Sequence, residues 1–359
     1  MEQDGPKRSR TRQVIQSAVS LAVVGFIFLY ALPRIADFSA VWANVRAMTW
    51  TEVVVLLAVA AWNLATYSFV WMAGLPGLTF AQAGVAAQAS NALASTIPGG
   101  SYLAIGLTYT MFHSWGFRRS IVTLALLVTG IWNNFAKLAL PVLALVFLAL
   151  GGAATAGRVT VGVLGVGALV AAVIILVTAL RSERSAGRIG NVAAGVAALP
   201  MRLLKRPTPT GWDIAVIRFR EKTIGLVRTR WHLLTLATLV SHVSLFVVLL
   251  ACLRAVGVSE DEVSWPEVLA VFAFTRIVTA IPLTPGGLGV VELALTAGLT
   301  AAGGDEEQVV AAVLVYRFLT YVLPIPMGVF GYVVWRRRSG WRREAEPSPV
   351  EAAPTPVPV

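Results

Sequence analysis

Cysteine is almost absent from this chain. Cys252 is the single cysteine among 359 residues, and it lies inside an apolar run. One thiol excludes an intrachain disulfide and any metal site built from several cysteines. The three histidines, His113, His232 and His242, are far apart and show no metal-ligand spacing. We therefore expect no bound metal, and no motif in the sequence indicates another cofactor.

Charged residues are also scarce. They make up 13% of the chain, whereas hydrophobic residues make up 57% and the mean hydropathy is +0.75. Such a composition does not suit a soluble domain. Apolar runs long enough to cross about 30 Å of hydrocarbon recur along the chain. The sequence therefore predicts an all-α integral membrane protein with about six transmembrane helices, near residues 14–32, 51–73, 121–150, 158–180, 232–256 and 308–335.

Acidic residues are outnumbered by basic ones, 18 against 29, and the two kinds crowd different loops. Lys and Arg crowd the N-terminus, Arg118-Arg119, residues 181–230 and the region after Arg336, which the positive-inside rule places in the cytoplasm. Threading the spans from a cytoplasmic N-terminus then puts the acidic loops at 260–262 and 305–307 outside. The net charge of +11 therefore belongs to the cytoplasmic face and its anionic lipids. It does not indicate nucleic-acid binding, because no basic and aromatic array stands on a soluble domain.

One tripeptide interrupts two further apolar segments. Pro98-Gly99-Gly100 divides residues 79–113, and Pro285-Gly286-Gly287 divides residues 265–303. Proline removes a backbone donor and glycine frees the backbone. In lipid, a freed polar group must find a partner in protein or in a water-filled cavity. Neither half of either segment spans the membrane comfortably, so we predict two re-entrant hairpins that enter to mid-membrane and return.

The threading gives the two hairpins opposite orientations. The first opens to the cytoplasm and the second to the outside, and each lies between two full spans. Aligning Pro98 with Pro285 also aligns Gly116 with Gly303. Inverted repeats of this kind are typical of secondary transporters, whose substrate sites lie at the repeat interface near the midplane.

The predicted organisation has three parts. A basic cytoplasmic N-terminus (1–13) precedes a membrane domain (14–335), and a basic, then Pro-rich disordered cytoplasmic tail (336–359) follows. Within the membrane domain, residues 181–230 form a basic cytoplasmic insertion. Its second part, 212–230, mixes apolar and basic residues as an interfacial amphipathic helix does, and a solvated basic linker is the alternative. The insertion is also the candidate docking surface for a protein partner.

The second hairpin carries a longer motif, Leu283-Thr284-Pro285-Gly286-Gly287-Leu288-Gly289-Val290-Val291-Glu292, with Tyr316-Arg317 and the Pro324/Pro326 pair downstream. With these residues the chain resembles the lysylphosphatidylglycerol synthase transmembrane (flippase-like) family over roughly residues 14–336. Pro98-Gly99-Gly100 and Trp132-Asn133-Asn134 with Lys137 also fit family members. This family includes the membrane half of the multiple peptide resistance factor. The resemblance implies that the region moves aminoacylated or other phospholipids between leaflets.

The chain departs from the multiple peptide resistance factor in one respect. The aminoacyl transfer of that protein belongs to a soluble C-terminal domain, and after Arg336 this chain has only a short basic and Pro-rich tail. We therefore expect a phospholipid transporter of the plasma membrane with both termini cytoplasmic, and no aminoacyl-transferase activity.

The glycines at the two breaks suggest an anion site. A half-helix that begins deep in the membrane presents unpaired N–H groups and the positive end of its dipole. Two opposed ends, at Gly99-Gly100 and at Gly286-Gly287 with Gly289, would form a cradle for the phosphodiester of an anionic or aminoacylated phospholipid. The alternative is that each Pro-Gly-Gly only makes a tight turn, with glycines for close helix packing.

Ionisable residues inside the spans are costly and are candidates for function. Arg276 lies nine residues before Pro285 and Glu292 seven after it, about 13 and about 10 Å from the hairpin tip. We expect them to pair, with Arg317 on the next span as the competitor for Glu292. Three interpretations stay open for Glu292: a structural salt bridge, a pair that substrate phosphate opens, and a simple first-turn acid.

Lys137 is the other deep charge. It shares a helix face with Asn133, and Asn134 lies beside them. We expect this face to contact the first hairpin at Gln88 and Asn91. The face either forms polar contacts between helices or lines a site for a lipid headgroup.

Two other classes of function compete with transport. A membrane enzyme that acts on lipid-linked substrates would need catalytic groups, and the sequence shows no paired acids at a loop edge, no Gly-Lys phosphate loop and no Ser-His arrangement. A scaffold for another membrane enzyme would need only a docking surface. Transport predicts a polar site at the repeat interface, whereas a scaffold predicts a packed interior whose deep charges are fully paired.

The predicted topology is testable by cysteine labelling in whole cells. In a Cys252→Ser background, a membrane-impermeant thiol reagent should label Glu260→Cys and leave Arg118→Cys unlabelled until the membrane is opened, because the two loops lie on opposite faces. Labelling of position 118 from outside, or protection of position 260, would contradict this topology.

Overall fold

The structure, a computed structural model, describes residues 38–97, 100–150, 212–279 and 284–341, with scattered positions between 167 and 195. Regular elements in these ranges are all helical, which confirms the all-α class. The helices are α1 (Phe38–Arg46), α2 (Trp50–Gly74), α3 (Phe80–Thr96), α4 (Gly100–Ser114), α5 (Arg119–Leu150), α6 (Trp212–Ala255), α7 (Trp265–Val278), α8 (Val290–Ala301), α9 (Glu306–Arg317) and α10 (Pro324–Arg337). Short 3₁₀ turns occupy Pro285–Gly287 and Ser339–Trp341.

Four helices are long and apolar enough to cross a membrane: Trp50–Gly74, Arg119–Leu150, Thr223–Ala255 and Glu306–Arg337. They confirm four of the predicted spans. The predicted span at 14–32 lies outside the described residues, as does the tail beyond 341, and the one at 158–180 is described only at scattered positions.

The last span changes its helix type near the middle. A π-helical turn at Phe318–Val322 joins α9 to α10, and the Leu323 N–H bonds to the carbonyl of Phe318, five residues earlier, at 2.8 Å. Pro324 follows directly and has no N–H to give. The wider turn therefore takes up the proline within one continuous span.

The basic stretch at 212–230 is helical, but it is not a separate surface helix. It continues without a break into the span, so that α6 contains 44 residues and extends about 66 Å. No glycine or proline pair interrupts the sequence near Trp231, so the helix has no reason to end there.

Both re-entrant hairpins are present. Their helices α3, α4, α7 and α8 contain 17, 15, 14 and 12 residues, whereas a full span needs about 20. A capping box starts each entering helix, at Thr79 with Gln82 and at Ser264 with Glu267. In each case the second helix therefore packs back against the first, and neither is as long as a full span.

The two hairpins end in the same way. The helix α4 ends two residues before Gly116 and α8 ends two residues before Gly303, and both glycines have positive φ, 90° and 117°. In both turns the residue after the glycine bonds back to the carbonyl five residues before it: Phe117 to Phe112, and Gly304 to Leu299. This is the Schellman arrangement. The turns are as far apart in sequence as Pro98 and Pro285, so the repeat extends from the break to the next span.

The two repeats run in opposite directions. Asn63 of α2 donates to Ser244 Oγ of α6 at 2.8 Å, and Arg230 of α6 donates to the Met72 carbonyl of α2 at 3.3 Å. From the first contact to the second, the residue number rises along α2 and falls along α6, so these two helices are antiparallel. Each is the first helix of its repeat, so the repeats are inverted.

Close packing joins the first hairpin to the last span. A Cβ atom built on Gly328 of α10 would lie 2.2 Å from the Gln88 carbonyl oxygen and 2.4 Å from Ala92 Cβ on α3. Gly331, one turn later, faces the Val85 backbone. Small residues allow this approach, as they do between many membrane helices.

We expect Gly328→Ala to destabilise the protein by about 1–3 kcal/mol, because the new methyl overlaps backbone that has no room to move. Gly106→Ala is the matched control, since a Cβ there meets nothing within 4 Å. Unfolding midpoints in detergent would show the difference. Equal midpoints for the two variants would mean that α3 and α10 are not held in this contact.

Candidate functional site

The two hairpin tips meet. The turn Pro285–Gly287 packs against α3, the entering helix of the first hairpin. Tyr321, in the π-helical turn, donates its hydroxyl hydrogen to the Ser95 carbonyl at 2.6 Å, one residue before α3 ends. Gly100 begins α4, whereas Pro98 and Gly99 lie outside the described residues. The two repeats therefore meet at their Pro-Gly-Gly breaks.

The glycines of the second break serve the turn itself. Gly286, Gly287 and Gly289 have φ values of 57°, 70° and 81°, a region that side chains other than glycine rarely adopt. A Cβ on Gly286 would also lie 2.3 Å from Tyr321 Cε2. The tight-turn interpretation thus accounts for these residues without a ligand.

Glu292 pairs with Arg317 and not with Arg276. Arg317 Nε donates to Glu292 Oε1 at 2.7 Å, and the two side chains are 12% and 2% exposed. Arg317 Nη2 also donates to the Gly286 carbonyl at 3.3 Å, and its guanidinium lies 4.3 Å from the Tyr321 ring centroid. The expected pairing with Arg276 is therefore wrong: Arg317 reaches the carboxylate from the neighbouring span and is held there by two further contacts.

This ion pair weakens the case for an anion cradle at the second break. Glu292 lies in the first turn of α8, where the helix dipole is positive. A protein carboxylate already supplies negative charge there, and a phosphate at the same helix end would be repelled by it. The corresponding site at Gly99-Gly100 stays a prediction.

Lys137 and Arg276 form a second charged group, which we call the cation cluster. Lys137 lies on α5 and Arg276 on α7, close enough for their charges to repel. Within the described residues neither side chain has an ion pair or a hydrogen bond, and Arg276 Nε is buried without a partner. Among the described residues, no acid pairs with either of these cations.

His242 also lies in this region, and it is not among the site residues predicted from the sequence. It lies on α6, 4% exposed, and its Nε2 donates to Asn133 Oδ1 at 3.0 Å. Both members of the cation cluster act on it electrostatically. The face of α5 that carries Asn133 and Lys137 therefore points toward α6 and α7, not toward the first hairpin as expected. Asn134 is exposed and donates to the Gly130 carbonyl of its own helix.

Tyr316 lies near both charged groups. It is 4% exposed, and both Arg276 and Arg317 lie within electrostatic range of it. The cation cluster and the Glu292–Arg317 pair therefore belong to one region, formed by the second hairpin and the spans α5, α6 and α9. His242 could have been found from the sequence, because it is a single histidine within an apolar run. Nothing in the sequence pointed to Tyr316 or Tyr321.

The described residues define an all-α, multi-pass membrane protein with two inverted hairpins and a buried ion pair at the tip of the second. Residues 13–328 match the protein family described as the lysylphosphatidylglycerol synthase TM region. The chain belongs to this family, as the motif around Pro285 indicated.

Individual relatives match over short stretches. Phosphatidylglycerol lysyltransferase of Staphylococcus aureus (strain COL) is 33% identical over 92 residues, which are 25% of this chain and 10% of that protein. The proteins of the same name from Staphylococcus haemolyticus (strain JCSC1435) and Staphylococcus xylosus are 31% identical over 64 residues and 28% identical over 88 residues. These matches cover 18% and 24% of this chain, and 8% and 10% of the relatives. The chain thus covers about a tenth of their length at most.

Substitutions at the ion pair should show strong coupling. Arg317→Gln leaves Glu292 buried without its partner, which we expect to cost about 3–5 kcal/mol of stability. Glu292→Gln should also destabilise, and the double variant should lose less than the two single losses added together. Unfolding midpoints of all four proteins in detergent measure this coupling.

The control is the pair Arg220–Glu183, whose acid is exposed: the Glu183 side chain is 66% exposed, that of Arg220 is 18% exposed, and the distance between them is 3.5 Å. Glu183→Gln should change stability by at most about 1 kcal/mol. Additive losses at positions 292 and 317 would show that the two side chains do not depend on each other.

Proposed function

We propose that this protein moves phospholipids between the leaflets of the cell membrane, binding the headgroup at the interface of its inverted repeats. The observation that carries the proposal is the meeting of two hairpins from oppositely oriented repeats, near two cations that no acid in the described residues pairs. Discontinuous helices around a midplane site are the usual construction of secondary transporters.

The unpaired cations distinguish transport from a scaffold role. A charge in a membrane interior is costly and normally faces a partner, a water-filled cavity or a substrate. A scaffold would gain stability by pairing Lys137 and Arg276 or by replacing them. Both cations lack an acidic partner in the described part of the chain. This fits a site in which a negatively charged ligand supplies the missing partner.

An apolar crevice beside α9 fits an acyl chain. It has a volume of about 560 Å³, lies between α1, α2 and α9, and is lined almost entirely by apolar side chains, among them Trp42, Leu56 and Phe318. Phe318 follows Arg317 directly. A lipid could thus hold its tail in the crevice while its headgroup approaches the charged region.

The family supports a lipid-related function, and the relatives are named for an enzyme that acts on phosphatidylglycerol. Because this chain covers about a tenth of those relatives, we do not assign it their aminoacyl transfer. We include two further points in the proposal, and both rest only on the basic clusters in the sequence. Both termini lie in the cytoplasm, and residues 181–230 form a surface for a protein partner.

Reconstitution tests the proposal. Liposomes that contain the purified protein should exchange fluorescent phospholipids between leaflets faster than protein-free liposomes do. Gly286→Val should lower the rate to the protein-free level, because the added side chain enters the space of Tyr321 at the hairpin contact. Gly106→Val is the control, since its site is open.

The thermal midpoint of each variant shows whether it is folded. Tyr321→Phe, which removes only the hydroxyl that donates to Ser95, gives a second and milder change at the same contact. It should alter the rate in a folded protein, whereas Tyr332→Phe at an exposed position should not. No exchange above protein-free liposomes by the wild-type protein would refute the proposed function.

A further inference from the structure

We infer that the headgroup site selects phospholipids of net negative charge over zwitterionic lipids and over cationic, aminoacylated ones. This inference rests on the proposed function and narrows its substrate class. It is drawn from the net charge of the side chains at the repeat interface. Membership of the family does not by itself predict that charge.

This net charge is positive. Lys137 and Arg276 lie within electrostatic range of each other, Arg276 and Arg317 lie within electrostatic range of Tyr316, and Glu292 is the one acid that the described residues bury. Arg317 takes that acid in a 2.7 Å hydrogen bond. The cation cluster is left with two positive charges that no carboxylate in the described structure neutralises.

A lipid headgroup would meet donors that suit a phosphodiester. Arg276 offers a planar fork with a buried and unused Nε, and Lys137 offers a compact ammonium. A guanidinium binds phosphate oxygens through paired hydrogen bonds, and an ammonium adds charge from a second direction. The two cations come from α5 and α7, so a bound phosphate would bridge a span and the second hairpin.

The same site suits a cationic headgroup less well. Lysyl esterification of phosphatidylglycerol adds two ammonium groups to one phosphodiester, so that the lipid becomes a net cation. These ammonium groups would approach Lys137 and Arg276, while the one carboxylate that the described residues bury, Glu292, is already paired with Arg317 through Oε1 and has only Oε2 without a partner. In a medium of low dielectric constant the repulsion is strong.

His242 adds a hydroxyl-binding feature. Because its Nε2 donates to Asn133, its Nδ1 is an acceptor, and this atom is buried without a partner. A glycerol hydroxyl can donate to it, whereas the trimethylammonium group of choline has no hydrogen to donate. A glycerol-type anionic headgroup therefore satisfies both the charges and the orphan acceptor.

The experiment compares three labelled lipids with identical acyl chains in one host liposome composition: phosphatidylglycerol, phosphatidylcholine and lysyl-phosphatidylglycerol. We expect the wild-type protein to move phosphatidylglycerol about tenfold faster than the lysylated lipid. The first lipid is a net anion and the second a net cation, and charges act strongly at a site that holds little water. Lys137→Gln and Arg276→Gln should each reduce this preference, and Lys137→Arg should retain it. Arg337→Gln, at the exposed end of α10, controls for the loss of one positive charge.

A binding readout separates this inference from the proposed function. Soluble short-chain phosphatidylglycerol should raise the thermal midpoint of the wild-type protein in detergent more than short-chain phosphatidylcholine or the lysylated lipid does. The difference should vanish in the Lys137→Gln/Arg276→Gln double variant. That double variant should fold, because neither side chain has a partner among the described residues that it would lose.

The outcomes are distinct. Faster movement or stronger stabilisation by the lysylated lipid would overturn the inference and leave lipid transport standing. Selective stabilisation by phosphatidylglycerol without movement of any lipid would remove the transport function and leave an anionic-lipid site. Equal stabilisation by all three lipids would overturn the charge selectivity directly.

Discussion

The lipid interior supplies no hydrogen bonds, and this constraint governs the second hairpin more than any single contact. A Pro-Gly-Gly break frees backbone groups that the protein itself must satisfy. The Gly287 N–H bonds to the Thr284 carbonyl, the Thr284 hydroxyl bonds to the Leu288 carbonyl, and Arg317 bonds to the Gly286 carbonyl. The guanidinium is thus part of the turn, and Glu292 holds it there. Breaking the ion pair would therefore open the backbone of the tip as well as separate two charges.

The charged residues divide accordingly into two kinds. Arg317 and Glu292 compensate each other and brace the hairpin, so their burial is explained by the fold. Lys137 and Arg276 brace nothing in the described residues, and their burial costs free energy that the fold does not return. This difference directs the search for a ligand to the interface of α5, α6 and α7. It also explains why the half-helix ends, which first suggested an anion site, are less informative than the side chains near them.

Much of the fold could be predicted because it depends on local sequence. Length and apolarity located four spans, and a proline followed by two glycines located both breaks, since these residues act on their own backbone. The side-chain pairing could not be predicted in this way. The sequence spacing allows either Arg276 or Arg317 to pair with Glu292. Only the packing of α9 beside α8 determines that Arg317 is the partner. The direction in which Asn133 and Lys137 point depends likewise on the rotation of α5 about its axis.

The inverted repeats share a scaffold but not their charges. Ile105 follows Pro98 by the same interval as Glu292 follows Pro285, and Gly130 stands where Arg317 stands in the second repeat. The first hairpin is instead held by a hydrogen bond between the hydroxyls of Ser90 and Thr108 and by the close approach of Gly100 to Leu93. One hairpin is therefore braced by a buried ion pair and the other by neutral contacts. The two hairpins therefore need not open together, because the contacts that hold each one closed differ in kind and in free energy.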